Sequence, residues 1–187
     1  MIFNAHSDLK GKHAFLSASK YHWVRYDEKR MAEVFRNSLA AERGTKLHEL
    51  ACQCIRLGVR LPRNRKTLNL YVNDAIGFGM TPEVLLYYSK NCFGTADAIA
   101  YDRGLLRIHD LKTGEYPGNM DQLLVYAALF ALEYGVTPEQ IELRIYQSDD
   151  IQIATPTQAD IKIVKDKIVA FDKLILQIRA EEGLELG

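Results

Sequence analysis

The stretch Gly94–Phe130, GTADAIAYDRGLLRIHDLKTGEYPGNMDQLLVYAALF, constrains the fold more than any other part of the chain. Phe93 to Tyr101 alternates and is rich in strand formers, Asp102-Arg103-Gly104 supplies a turn, and Leu105 to Leu111 returns, so its first half reads as a β-hairpin. Met120 to Tyr134 reads as an apolar helix. Asp97 therefore falls inside one strand and Asp110 near the end of its neighbour. Side chains alternate along a strand, so Asp110 and Lys112 share a face and Leu111 turns into the core. Two carboxylates and an ammonium at one end of a sheet are costly unless something binds there. A hard divalent cation held by oxygen ligands suits that role.

The order of residues, G-T-A-D, twelve residues, D-L-K-T-G, seven residues, Q-L-L-V-Y, resembles the core of the PD-(D/E)XK nuclease superfamily, and within it the RecB-like, phage exonuclease-type branch. The resemblance runs from about Gly44 to Tyr126 and is strongest over Gly94–Tyr126. It implies a restriction-endonuclease-like αβββαβ core, a mixed sheet flanked by helices. It also implies Asp97, Asp110 and Lys112 as the catalytic set, with Asp97, Asp110, His48 of GTKLHEL and the Leu111 carbonyl as ligands of one or two Mg²⁺ or Mn²⁺ ions. Gln122 and Tyr126, by the same resemblance, support the site or contact DNA. Iron–sulfur members of the branch hold their cluster with four cysteines, mostly after the catalytic core. This chain has Cys52, Cys54 and Cys92 and none after Lys112, so no cluster is expected.

The bland readings stand beside these. Asp97 alone could be an edge residue, Asp110 and Lys112 a surface ion pair, and His48 a helix-start residue. Gln122 and Tyr126 could be helix-packing residues, although a buried Gln needs polar partners. Glu49 lies some 100° from His48 around a helix and is expected in solvent. Glu83 could reach the site from the first strand.

The remaining chain reads as one domain of 187 residues. Residues 1–80 are expected to be mostly helical and basic, 81–155 to form the catalytic sheet and helix, and 156–187 the C-terminal helix. Helix formers run from His22 to Ala41, with a break at Gly44 and a second helix capped by Thr45 and ending before Gly58. Leu68, Tyr71, Val72, Ala75 and Ile76 mark an amphipathic helix. Glu83 to Ser89, Ile141 to Gln147 and Ile151 to Ala154 are further strands, the second of them parallel to an earlier one after a helical crossover. Thr157 or Ala159 opens the last helix, with Ile161, Val164, Ile168, Phe171 and Ile175 as its buried stripe.

Charge matters through its distribution. Lys+Arg and Asp+Glu both total 24, yet residues 1–70 hold 14 basic against 6 acidic and residues 71–187 hold 10 against 18. Arg56, Arg60, Arg63, Arg65 and Lys66 occur without an intervening acid, which is either a phosphate-tracking surface or a solvated loop. Trp23 with Tyr21, His22, Arg25 and Tyr26 suits stacking on an unpaired base, or docks an N-terminal helix. No apolar run reaches membrane-span length and MIFNAHSDLKGKH has no signal-peptide apolar region, so no membrane partner is expected. Three cysteines favour a reducing compartment, the cytoplasm of a bacterial or phage-infected cell, and Cys52-Gln53-Cys54 is wrongly spaced for a zinc knuckle. The expected activity is a metal-dependent deoxyribonuclease, an exonuclease processing DNA ends in recombination, repair or phage replication. It would act alone, as a homo-oligomer or with a recombination partner protein. The alternatives are a structure- or site-specific endonuclease on the same fold and a non-catalytic DNA-binding subunit.

Overall fold

The computed structural model describes residues 5 and 7–183. The chain divides into two compact units, Met1–Glu42 and Arg43–Gly187. The first unit contains short 3-10 segments at Ser7–Leu9 and Ala18–Arg25, the latter kinked at Lys20, and the start of helix α1, Glu28–Leu57. None of its described residues is fully buried.

α1 runs through Gly44 without the expected break, so Thr45 lies inside the helix and does not start a second one. A mid-helix glycine costs only about 1 kcal/mol relative to alanine. Gly44 is buried, and a Cβ built on it would lie 2.6 Å from Thr113 Oγ1. The glycine is a point of close approach, and the helix continues past it.

The second unit is a mixed α/β structure on a five-stranded sheet. After α2, Thr67–Gly77, come β1, Thr81–Ser89, β2, Cys92–Asp102, and β3, Leu105–Leu111. Helix α3, Met120–Tyr134, leads to β4, Gln140–Gln147, β5, Asp150–Ala154, and α4, Gln158–Glu181. Strand order is β1-β2-β3-β4-β5, with β3 and β4 parallel and the other pairs antiparallel. Two tight turns set the register. Arg103 and Gly104 have φ of 47° and 82°, and Ser148 and Asp149 have 52° and 59°, the twist that two-residue hairpins favour. The β3–β4 pairing is parallel because α3 carries the chain back across the sheet.

Both faces of the sheet are covered. Leu86, Ile99, Leu106, Ile108, Leu143 and Ile145 pack under Leu123, Ala127 and Leu129 of α3 and Ile161 and Ile168 of α4. On the opposite face Ala98, Leu111 and Tyr146 meet Ala51, Cys54 and Ile55 of α1 and Tyr71, Val72 and Ala75 of α2. Each fully buried aliphatic side chain contributes about 1.5–3 kcal/mol. α3 is capped by Asn119, whose side chain accepts from the Asp121 N–H, and ends on Gly135 in the left-handed region.

The start of α4 is fixed by a reciprocal capping box between Thr157 and Asp160. Its apolar stripe is buried only in the first half: Ile161 and Ile168 are inside, whereas Phe171 is 60% and Ile175 38% exposed. Phe171 and Ile175 line an open cleft of about 550 Å³ with Asp121, Leu124 and Val125 of α3, so this part of the stripe borders a hollow and does not close a core. No helix among the described residues is long and apolar enough to cross a membrane, and all three cysteines are free thiols.

Candidate active site at the end of β3

The two carboxylates meet where β3 ends. Asp97 Oδ2 accepts the backbone N–H of Leu111 at 2.9 Å, so this side chain also fixes the last residue of the neighbouring strand. Asp110 is 2% exposed, next to Leu111, whose side chain is inside the opposite core as expected. Lys112, held at the strand end by its N–H to the Tyr146 carbonyl at 2.9 Å, turns back over Asp110. Its Nζ lies 3.0 Å from Asp110 Oδ2 and donates to Oδ1 at 3.2 Å. Oδ2 is buried and meets the ammonium as an ion pair, without an assigned hydrogen bond.

The same ammonium donates to Gln122 Oε1 at 2.8 Å, and Gln122 Nε2 donates to Tyr126 Oη at 3.0 Å. Gln122 and Tyr126 are one turn apart on α3 and aim at the β3 end together. Gln122 is exposed, not buried as the packing argument required, because α3 presents this edge at the site's mouth. Tyr126 lies against Gly94 of β2, where a Cβ would come within 3.0 Å of its ring.

His48 reaches the cluster from α1. Its Nδ1 is 3.5 Å from Asp97 Oδ2, and that carboxylate raises the imidazole's affinity for a proton against the opposing effect of burial. Glu49 is exposed. For Asp110, burial is the main cause that pushes the carboxyl above its ordinary range. The Asp97 charge adds to this, and Lys112 opposes both. A cation favours the ionised form of such a buried carboxyl, and Lys112 is the one beside it. Asp97, Asp110 and the Leu111 carbonyl are hard oxygen donors of the kind Mg²⁺ or Mn²⁺ selects. Among the described residues no group of three or more His, Cys, Asp or Glu side chains is placed to hold a metal ion.

Glu83 of β1 lies near α1. It interacts with the Cys52 thiol, four residues beyond His48, and adds to the effect of burial in raising that thiol's pKa. Its φ of 51° falls between the pairs Pro82↔Ala98 and Val84↔Ala96, a backbone conformation uncommon for a non-glycine residue.

Gln147, the 8%-exposed last residue of β4, went unnoticed as a site residue. Its Nε2 donates to the carbonyls of Gly114 and Tyr116, both at 2.7 Å, and its Oε1 accepts the Gly118 N–H at 2.9 Å. One side chain thus ties down the whole loop between Lys112 and α3. A polar residue at the end of the alternating strand Ile141–Tyr146, where the pattern leads into the core, was the available signal. Gly118 adds a close contact, since a Cβ there would meet Ile145 Cγ2 at 2.9 Å and Lys112 Cγ at 3.1 Å.

A groove of about 320 Å³ leads away from Lys112, walled by Leu47, Thr67, Leu111, Gly114 and Ser148. Arg56, Arg60, Arg63, Arg65 and Lys66 are all exposed, the last four in the loop that enters α2. The N-terminus of α2 is itself occupied, because Asp149 accepts from Thr67 N–H at 2.8 Å and Thr67 Oγ1 at 3.0 Å.

No protein-family model matches the chain, and no solved structure matches it. The chain is 41% identical over 61 residues to the Gene 69 protein of Mycobacterium phage D29, a similarity spanning 30% of this chain and 23% of that protein.

Proposed function

We propose that this chain is a Mg²⁺- or Mn²⁺-dependent deoxyribonuclease with a RecB-like PD-(D/E)XK core, acting as an exonuclease on DNA ends. The carrying observation is Asp110: a buried carboxylate beside Asp97 and ion-paired with Lys112, at a strand end where Asp97, Lys112 and His48 are each partly exposed. The αβββαβ order and the mixed sheet are those the family resemblance implies. A phage or recombination setting is part of the same proposal.

Asp97, Asp110 and the Leu111 carbonyl would hold the ion, with His48 at its edge. A bound divalent ion supplies charge against the phosphate and lowers the pKa of water. The chain's own groups do the rest. In hydrolysis a water oxygen bonds to phosphorus, the ester P–O bond breaks, and the departing oxygen gains a proton. Lys112, fixed by Asp110 and Gln122, presents its ammonium where charge develops on the phosphoryl oxygens and orients the attacking water. Tyr126 holds Gln122, and Gln147 holds the loop that shapes the mouth. Placement of these donors before substrate arrives is the main contribution expected from the protein.

Linear and covalently closed DNA test the exonuclease reading. With Mg²⁺ or Mn²⁺ the protein is expected to degrade linear DNA and spare closed circles. Equal cutting of closed circles would replace it with an endonuclease.

A further inference from the structure

The first unit carries a cleft that the catalytic site does not use. It encloses about 610 Å³ and is walled by Phe15, Trp23 and Tyr26 with Lys20, His13 and His22. Among the described residues its lining contains no acidic side chain. A second cleft of about 590 Å³ lies on the other side of the shared Phe15, Leu16, Tyr26 and Met31 ridge, and it carries Asp27 and Glu28. Two neighbouring apolar hollows therefore differ in charge, and only one can accept an anion.

The aromatic groups are held in place. Trp23 Nε1 donates to the Ser17 carbonyl at 3.0 Å, which fixes the indole by its edge. Phe15 packs edge-on to Phe35 with ring centroids 5.0 Å apart, and the Arg30 guanidinium sits 5.9 Å from the Tyr26 ring centre. Tyr21, 56% exposed, lies 4.7 Å from the His22 ring. Fixed aromatic surface beside an ammonium that has no ion-pair partner among the described residues matches a flat base joined to a phosphate. Bases stack on such rings whatever their identity, and the cation meets the backbone. An apolar peptide segment would not require the acid-free lining.

We propose that this cleft binds an unpaired nucleotide of single-stranded nucleic acid, by stacking on its aromatic wall with Lys20 at the phosphate. This site is separate from Asp97 and Asp110 and needs no divalent ion.

Trp23 is the only tryptophan of the chain, so its fluorescence reads the cleft directly. The full chain is titrated with a short oligothymidylate in EDTA, with Lys20→Met and Lys20→Glu in parallel. Lys20 is exposed, and an unchanged emission maximum verifies that the cleft survives each substitution. Saturable quenching of Trp23 is expected, weakened by salt, with affinity falling from wild type to Met to Glu and roughly tenfold in total. A flat Trp23 signal, or quenching with equal affinity in all three proteins, overturns the proposal. DNA cleavage with Mg²⁺ is scored separately by product, so either site can fail without the other.

Discussion

His109 and Asp110 are neighbours on β3, 0% and 2% exposed, and each has a buried polar atom without an assigned hydrogen bond. They face opposite sides of the sheet, and their surroundings differ in kind. His109 Nδ1 lies 3.3 Å from Tyr146 Oη, which donates to Asp74 Oδ2 at 2.8 Å, while Phe78 packs edge-on to the imidazole. Arg107 and Arg144 cover the Phe78 ring, their guanidinium carbons 4.5 and 4.8 Å from its centre, and both oppose a charge on His109. Burial, helped by these cations, holds the imidazole neutral, with its pKa lowered to about 3. Asp110 faces the mouth between β3 and α3, where Lys112 and Gln122 are within reach. Equal burial on one strand thus gives two groups with opposite surroundings: His109 meets aromatic rings and is opposed by two guanidinium groups, whereas Asp110 meets an ammonium and a second carboxylate.

The largest expected effect is on chemistry alone. Lys112→Ala is expected to slow DNA cleavage by roughly a hundredfold or more, consistent with loss of one preorganised charge-stabilising donor. Mn²⁺ affinity measured by calorimetry should remain within a few-fold of wild type. Comparable loss of both would mean that Lys112 only props Asp110.

His109→Ala should do the reverse, costing about 3 kcal/mol of stability by denaturant unfolding while the protein that remains folded still cleaves. Protonation sharpens the contrast. The unfolded chain takes up a proton at His109 near pH 6.5 and the folded one only near 3, so the neutral imidazole's stabilisation is present above 6.5 and lost as pH falls through that window. Asp110 has the opposite sign. Its carboxyl is raised in the fold, so in EDTA its contribution favours folding at low pH and is lost as pH rises through the raised value. Stability against pH for Asp110→Asn and His109→Gln should lose these two opposed slopes separately.

Gln147→Ala leaves the Gly114 and Tyr116 carbonyls and the Gly118 N–H without their buried partner. A cost of about 1–3 kcal/mol is expected, read as faster proteolysis within residues 113–118 and about tenfold slower cleavage. Tyr126→Phe removes a single hydroxyl from Gln122 and should slow cleavage only a few-fold, about 0.5–1.5 kcal/mol. Unchanged cleavage in both variants would mean that Lys112 is placed without help from either loop or helix.

Elements with strong local signals were readable from sequence. The β2–β3 hairpin and α3 carry alternation, turn and capping residues within short windows, and the Asp97–Asp110–Lys112 grouping follows from their register. Gly44 misled because its role is a contact with Thr113, far along the chain. The exposed part of the α4 stripe misled because periodicity reports an apolar face and not how closely its partner packs against it. The His109 surroundings were hidden because Asp74, Arg144 and Tyr146 come from α2 and β4, and no local pattern joins them. The need of a buried amide for polar partners does not bear on Gln122, which is exposed; its partners are the Lys112 ammonium and the Tyr126 hydroxyl.

End-labelled DNA incubated with Mg²⁺ or Mn²⁺ tests the central claim most directly, with wild type, Asp110→Asn and EDTA controls in one assay. The account predicts degradation by wild type, abolished by EDTA and by Asp110→Asn, whose unfolding midpoint in EDTA is at least that of wild type. No degradation of single- or double-stranded DNA by wild type, or equal degradation by Asp110→Asn, would contradict it.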